Sequence, residues 1–213
     1  MAKTALLFYG GWDGHQPKAL AQKFREDLSQ ANVEVTLVDS LDCLDDLDLL
    51  QQFDLIIPGW TMGTLSGDRE KNLSSAVRAG VGLSGIHGTM GDSFRGAIDY
   101  EWMVGGHFVG HPHVGPYTVQ IEDPEDPLTQ GLPQEFSYDS EQYYLLTDPG
   151  IKVLLSTTYK YEGKEIKMPV AWTKNWGEGR VFYSSLGHSV EEFDENPAVW
   201  KMVLKGCLWA ARK

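Results

Sequence analysis

Val81-Gly82-Leu83-Ser84-Gly85-Ile86-His87-Gly88-Thr89 is the stretch that decides the fold. Apolar and small residues over 81–86 read as a strand buried on both faces, and the run stops at a histidine framed by glycines. Gly-x-nucleophile-x-Gly at a strand's carboxyl end is the pattern of a nucleophile elbow, where a tight turn lifts one side chain into an open cleft. Here His87 takes the nucleophile's place and Thr89 that of the last glycine. The scaffold marks a catalytic position whose chemistry is not acyl transfer.

Upstream of it, strands and helices alternate. Residues 4–9 read as a buried strand, and Leu20, Phe24 and Leu28 recur at helical spacing over 17–31, with Pro17 acceptable in the first turn. Strands are expected at 33–38 and 54–58, a short amphipathic helix within 41–53, and a helix at 68–79. This alternation predicts a parallel sheet covered on both faces. Ligands in such sheets gather beyond the carboxyl ends of the strands at the topological switch point, which selects loops 10–15, 59–63 and 87–91. Downstream, 92–113 is rich in Gly and aromatics. Strands are expected at 117–121 and 151–158, a hairpin pairs 169–173 with 180–185 across 174–179, and a closing amphipathic helix spans 197–211.

The 213 residues suit one domain, 1–213, and composition shows no break. A net charge of −12 argues against nucleic acid and anionic membranes as partners. Acidic runs at 42–48 and 122–126 read as solvated surface. Cys43 and Cys207 have no activating setting and read as packing residues, which fits a reducing cytoplasm. The opening Met-Ala-Lys-Thr-Ala-Leu-Leu-Phe-Tyr runs straight into a strand rather than a signal peptide, and no apolar run is long enough to span a bilayer. A cytoplasmic protein is expected.

All six histidines fall in or beside expected loops. Imidazole suits proton transfer near neutral pH and metal ligation. The switch-point rule brings His15 and His87 to one sheet edge, and His188 follows a strand end in Leu186-Gly187-His188. His107-x-x-x-His111-x-His113 has the look of a metal tract, but Gly110 and Pro112 oppose the helix that such spacing needs. Either the three converge on a metal, or His111 alone turns inward, held by Pro112 in an extended lip. In Tyr138-Asp139-Ser140-Glu141-Gln142-Tyr143, the aromatic setting of Glu141 suits an acid or base, with desolvation expected to raise its pKa. Trp12, Trp60 and Trp172 either stack on a sugar face or fill the core. Gly10-Gly11-x-x-Gly14 lacks the G-x-G-x-x-G spacing, which speaks against NAD.

In this order, Gly10-Gly11 with His15, Gly85-Ile86-His87-Gly88, Gly105-Gly106 with His111-Pro112, Asp139 to Tyr143, Pro169-Val170-Ala171-Trp172-Thr173, Gly177-x-Gly179-Arg180 and Leu186-Gly187-His188 resemble the ThuA-like (trehalose utilisation) family over nearly the whole chain. That family's fold is similar to class I glutamine amidotransferases. The resemblance implies an α/β fold, flavodoxin-like, with a doubly wound, mainly parallel sheet and an added β-hairpin. Because His87 replaces the elbow cysteine, glutamine hydrolysis is not expected. A sugar or keto-sugar of the disaccharide type is the implied substrate.

Two readings of function follow. In the first, an enzyme uses His87 and Glu141 as acid–base residues. Trp12, His15, Trp60, His111, Trp172 and His188 bind substrate, and His15, His87 and His188 are candidate ligands for a divalent metal such as zinc. In the second, the same fold is a non-catalytic carbohydrate-binding or sensing module. An exposed apolar patch around Trp200 and Trp209 would instead favour an interaction subunit, and a homodimer is a candidate assembly.

Overall fold

The structure, a computed structural model, describes residues 2–213. The chain runs β1 (Lys3–Gly11), α1 (Pro17–Gln30), β2 (Val33–Val38), α2 (Leu47–Leu50), β3 (Leu55–Thr61), α3 (Gly67–Arg78), β4 (Gly82–Ile86), α4 (His87–Gly91) and α5 (Ile98–Val104). It continues through β5 (Gly106–Ile121), β6 (Glu135–Thr147), β7 (Lys152–Tyr161), β8 (Lys164–Trp176), β9 (Gly179–Ser184), α6 (Val190–Glu195) and α7 (Pro197–Ala210). Local signals set several of the helix starts. Pro17 and Pro197 open α1 and α7, where a missing N–H costs nothing. The Ser66 and Ser189 hydroxyls accept from the backbone N–H groups of Arg69 and Glu192.

One nine-stranded sheet has the order β2-β1-β3-β4-β9-β8-β7-β5-β6. Strands β2, β1, β3, β4 and β9 pair in parallel, and β9, β8, β7, β5 and β6 pair antiparallel, with β9 shared. The sheet is therefore not mainly parallel with one added hairpin: half of it is an antiparallel array. The hairpin at its centre is present, but β8 and β9 run up to a two-residue turn at Gly177-Glu178 rather than the wide connection expected. Successive residues of β1 and β3 alternate between two cores, as strands covered on both faces require. Ala5, Leu7, Leu55 and Ile57 pack with α1 and α7. Leu6, Phe8 and Ile56 pack with α3 and α5 on the other face.

Two tryptophan expectations are corrected by this packing. Trp172 lies on no sugar face: it is fully buried, packs on Tyr183, and donates from Nε1 to the Val104 carbonyl at 2.8 Å. The closing helix likewise offers no open patch at Trp200, which is buried against Phe24 and Phe193 and donates to Asp27. Trp209 is half-buried beneath the Arg180 guanidinium. No helix among the described residues is long and apolar enough to cross a membrane.

Candidate active site and metal centre

The chain visits β1 and β2, then crosses back to β3 on the other side of β1, so the switch point lies between β1 and β3. Residues that follow the carboxyl ends of β1, β4 and β9 meet there. His15 ends a single 3-10 turn after β1, His87 starts α4, and His188 follows β9. His87 has φ +42°, a left-handed conformation that costs a side-chain-bearing residue about 1–3 kcal/mol and is found where function holds it. The flanking glycines are required by contact. A Cβ on Gly85 would stand 2.6 Å from Met90 Sδ, and one on Gly88 would stand 2.2 Å from His15 Cε1 and 2.9 Å from the Tyr143 hydroxyl.

Glu141 arrives from β6, at the far end of the sheet order. The β5–β6 ribbon shifts register between Phe108 and Gly110 and again between Gly110 and His113. Such bulges bend a strand, and this ribbon folds back over the parallel half. Glu141 and Tyr143, two residues apart, share the face that it presents.

His87 Nδ1–H donates to the Ser185 carbonyl at 2.7 Å, which turns Nε2 toward the site. That Nε2 stands 3.2 Å from Glu141 Oε2 and 3.3 Å from His188 Nδ1. His188 Nδ1 is 3.6 Å from the same carboxylate oxygen. His15 Nδ1 is held at 2.8 Å by the buried Thr61 hydroxyl, leaving Nε2 as its free nitrogen. One donor atom from each of His15, His87, Glu141 and His188 lies within 4.8 Å of all the others. His15 and His87 are buried, and their rings stand 4.8 Å apart.

Protonation follows from this crowding. Burial, with His87 and His188 close by, pushes His15 down to about 3, so it is neutral at physiological pH. Burial also works to raise Glu141, but hydrogen bonds to His188 and His87 outweigh it and hold the carboxyl well below its usual range. The expected upward shift of Glu141 is thus reversed, because its polar partners win over desolvation. The bond to Glu141 raises His188.

His111 stands 3.5 Å from Glu141 Oε1, so the inward-histidine alternative is the arrangement observed. His107 pairs instead with Glu101, and His113 with the Pro116 carbonyl; the three do not converge. Beside the cluster lies a cavity of about 250 Å3 walled by Trp12, Met62, Asp92, Phe108, His111 and Tyr143. Trp12 lies at its rim, 46% exposed, edge-on to His15. Trp60 is half-buried in β3 against Gly10 and is not among the residues walling this cavity.

Several participants escaped the sequence reading. Tyr143 stacks on His87 with ring centres 4.1 Å apart, and Arg95 grips the buried Asp92 through two bonds of 2.5 and 2.8 Å. Glu192 accepts from the Tyr138 and Ser140 hydroxyls and from the His188 backbone N–H, fastening the His188 loop to the strand that carries Glu141. Only the strand-mate spacing of Tyr143 to Glu141 could have been read in advance.

The cluster could hold a metal ion, and its nitrogen-rich donor set is of the kind zinc takes. A tetrahedral ion with bonds near 2.1 Å spaces its ligand atoms about 3.4 Å apart, which the separations among His87, Glu141 and His188 bracket. Oxygen partners on the opposite nitrogens of His87 and His15 are the support that metal-bound imidazoles usually have.

No curated protein matches the sequence. Among solved structures, the chain is similar to a ThuA-like protein from Bacteroides uniformis ATCC 8492, with TM-score 0.77, 19% identity, and coverage of 97% of this chain and 90% of that one. A ThuA-like protein from Parabacteroides merdae ATCC 43184 gives TM-score 0.77 at 17% identity, covering 99% and 90%. A protein of Salmonella typhimurium LT2, described as cytoplasmic, gives 0.68 at 12%, covering 99% and 100%. These likenesses concern the fold. The sequence model of the ThuA family, described as trehalose utilisation, matches residues 4–210, and the chain belongs to that family.

Proposed function

We propose that this protein is a cytoplasmic, single-domain enzyme of carbohydrate metabolism that acts on a neutral sugar or keto-sugar at a zinc-class centre held by His15, His87 and His188, with Glu141 beside it as the base. The parallel order β2-β1-β3-β4-β9, with helices on both faces, supports the doubly wound, flavodoxin-like description of that half. One observation carries the functional reading. With Nδ1–H committed to Ser185, His87 Nε2 confronts the Glu141 carboxylate and the His188 imidazole at 3.2 and 3.3 Å. Facing lone pairs repel unless a cation, either a proton or a metal ion, lies between them.

When bound, a divalent ion supplies polarisation of a carbonyl and an acidified water. The chain's own groups do the rest. In the metal-free protein His15 is neutral, His188 holds a proton more firmly than an ordinary histidine and Glu141 is ionised; ligation would take up the imidazole lone pairs and leave Glu141 to receive a proton. Trp12 and Phe108 give the cavity flat apolar walls suited to the hydrogen-bearing face of a sugar. The Glu141 carboxylate opposes an anionic substrate, whereas Asp92 is neutralised by Arg95. Proton removal beside a ketone, as in isomerisation or elimination, and hydrolysis by a metal-activated water are the two reaction classes this supports.

Elemental analysis of the purified protein and of His87→Ala, paired with turnover of a keto-sugar, tests the reading. Near-stoichiometric zinc or a like metal in the parent, lost in the variant together with turnover, is expected. Undiminished turnover in His87→Ala overturns the catalytic role, and sugar binding without product in the parent leaves a binding or sensing module.

A further inference from the structure

We infer that Tyr143 is a further catalytic residue, its phenol donating a hydrogen bond to the oxyanion that develops as a keto-sugar loses the proton beside its carbonyl. The inference rests on the keto-sugar reading above and adds a residue to it.

Tyr143 is buried, with its ring stacked on His87 and tilted by 28°. Phe108 packs on the same ring at 4.5 Å. These two neighbours fix the phenol's plane without using its hydroxyl. The hydroxyl lies by Gly88 and the His15 ring, where a single added Cβ would collide with both. Three other buried tyrosines near the site spend their hydroxyls on structure: Tyr183 donates to the His87 carbonyl at 3.0 Å, Tyr100 to the Met90 carbonyl at 3.0 Å, and Tyr138 to Glu192 at 3.1 Å. Tyr143 walls the cavity together with His15, His111 and Glu141. A phenol is ordinarily protonated at physiological pH and so can donate. A neutral donor already in place and next to the base is what a developing oxyanion requires.

The step balances without a co-reactant. The Glu141 carboxylate takes the proton from the carbon beside the ketone. That C–H electron pair becomes the new C=C bond, and the C=O π pair moves onto oxygen, where the Tyr143 O–H bonds to it. Returning the proton to its own carbon restores the ketone; placing it on the former carbonyl carbon gives the isomeric carbonyl once the neighbouring hydroxyl has passed its proton to the oxyanion, and the phenol is unchanged.

Tyr143→Phe removes only the oxygen and keeps the stack. Hydrogen–deuterium exchange of a keto-hexose in heavy water, followed by NMR, is expected to slow about 10²–10³-fold in the variant, the usual cost of losing one oxyanion donor. Zinc content and affinity for the unreacted sugar should not change. Exchange at the parent rate overturns the role of Tyr143 and leaves the proposed function standing. Absence of exchange in the parent overturns the keto-sugar reading, and binding of acetohydroxamate, a small enediolate mimic, to zinc-loaded protein then decides the phenol's role as a donor. Affinity about tenfold weaker in Tyr143→Phe supports an oxyanion donor, and equal affinity overturns it.

Discussion

At the scale of single residues, the site is governed by how little room its glycines leave. His87 keeps a left-handed backbone because Tyr183 holds its carbonyl and Ser185 its ring. Gly88 lets His15 and Tyr143 close in on the same backbone atom. Gly88→Ala should therefore push the His15 ring off Thr61. Overpacking of this kind costs about 1–3 kcal/mol in denaturant unfolding. Loss of the orienting bond should weaken zinc roughly 10–100-fold in competition with a chelator. Parent-like zinc affinity would show that His15 is not a ligand. His15, His87 and His188 were legible because strand-end position and flanking glycine are local features. The lowered pKa of Glu141 was not, because its histidine partners come from segments remote in sequence.

At the scale of elements, the parallel half could be read and the antiparallel half only in part. Strands β1 to β4 announce themselves as apolar runs. By contrast, β5 carries Gly106, Gly110, Gly115, Pro112 and Pro116, residues that signal loops, and its ladder is supplied by its neighbour β6 rather than by its own propensity. The ribbon's bulges, which bring Glu141 over the parallel half, arise from that pairing. Trp172 was ambiguous for a related reason: residues in the middle of a strand face core or cavity according to neighbours that sequence does not name. Two substitutions separate the roles. Trp172→Ala should cost about 3–5 kcal/mol, as large buried truncations do. Trp12→Ala should stay within about 0.5 kcal/mol of the parent in stability yet weaken sugar binding. Thermal unfolding and sugar titration of both variants check this, and a stable Trp172→Ala that has lost sugar affinity would restore the sugar-face reading.

For the whole molecule, the cluster ties together its two halves. His15 and His87 belong to the parallel half, Glu141 to the folded-back ribbon, and His188 to the turn after the shared strand. A metal bound only by the native arrangement stabilises by mass action, about 2.7 kcal/mol at roughly 100 times Kd. For a chain of this size about 2–4 °C of Tm accompanies each kcal/mol, so excess zinc should raise Tm by roughly 5–11 °C. The metal-free protein has its own pH dependence. His15 titrates at about 3 when folded against 6.5 unfolded, so the unfolded chain gains a proton first and stability falls as pH drops between those values. Glu141, lowered from 4.5, adds a contribution of the same sign that is lost below that pH, whereas the raised His188 contributes most below 6.5 and loses its share as pH rises through its folded value. Metal ligation requires deprotonated imidazoles, so the zinc increment should grow from about pH 5 to about pH 7.5. Calorimetric scans with and without zinc across that range measure both effects. An increment that is flat with pH, or that persists in His87→Ala, would mean that zinc binds elsewhere and that a shared proton holds the cluster together.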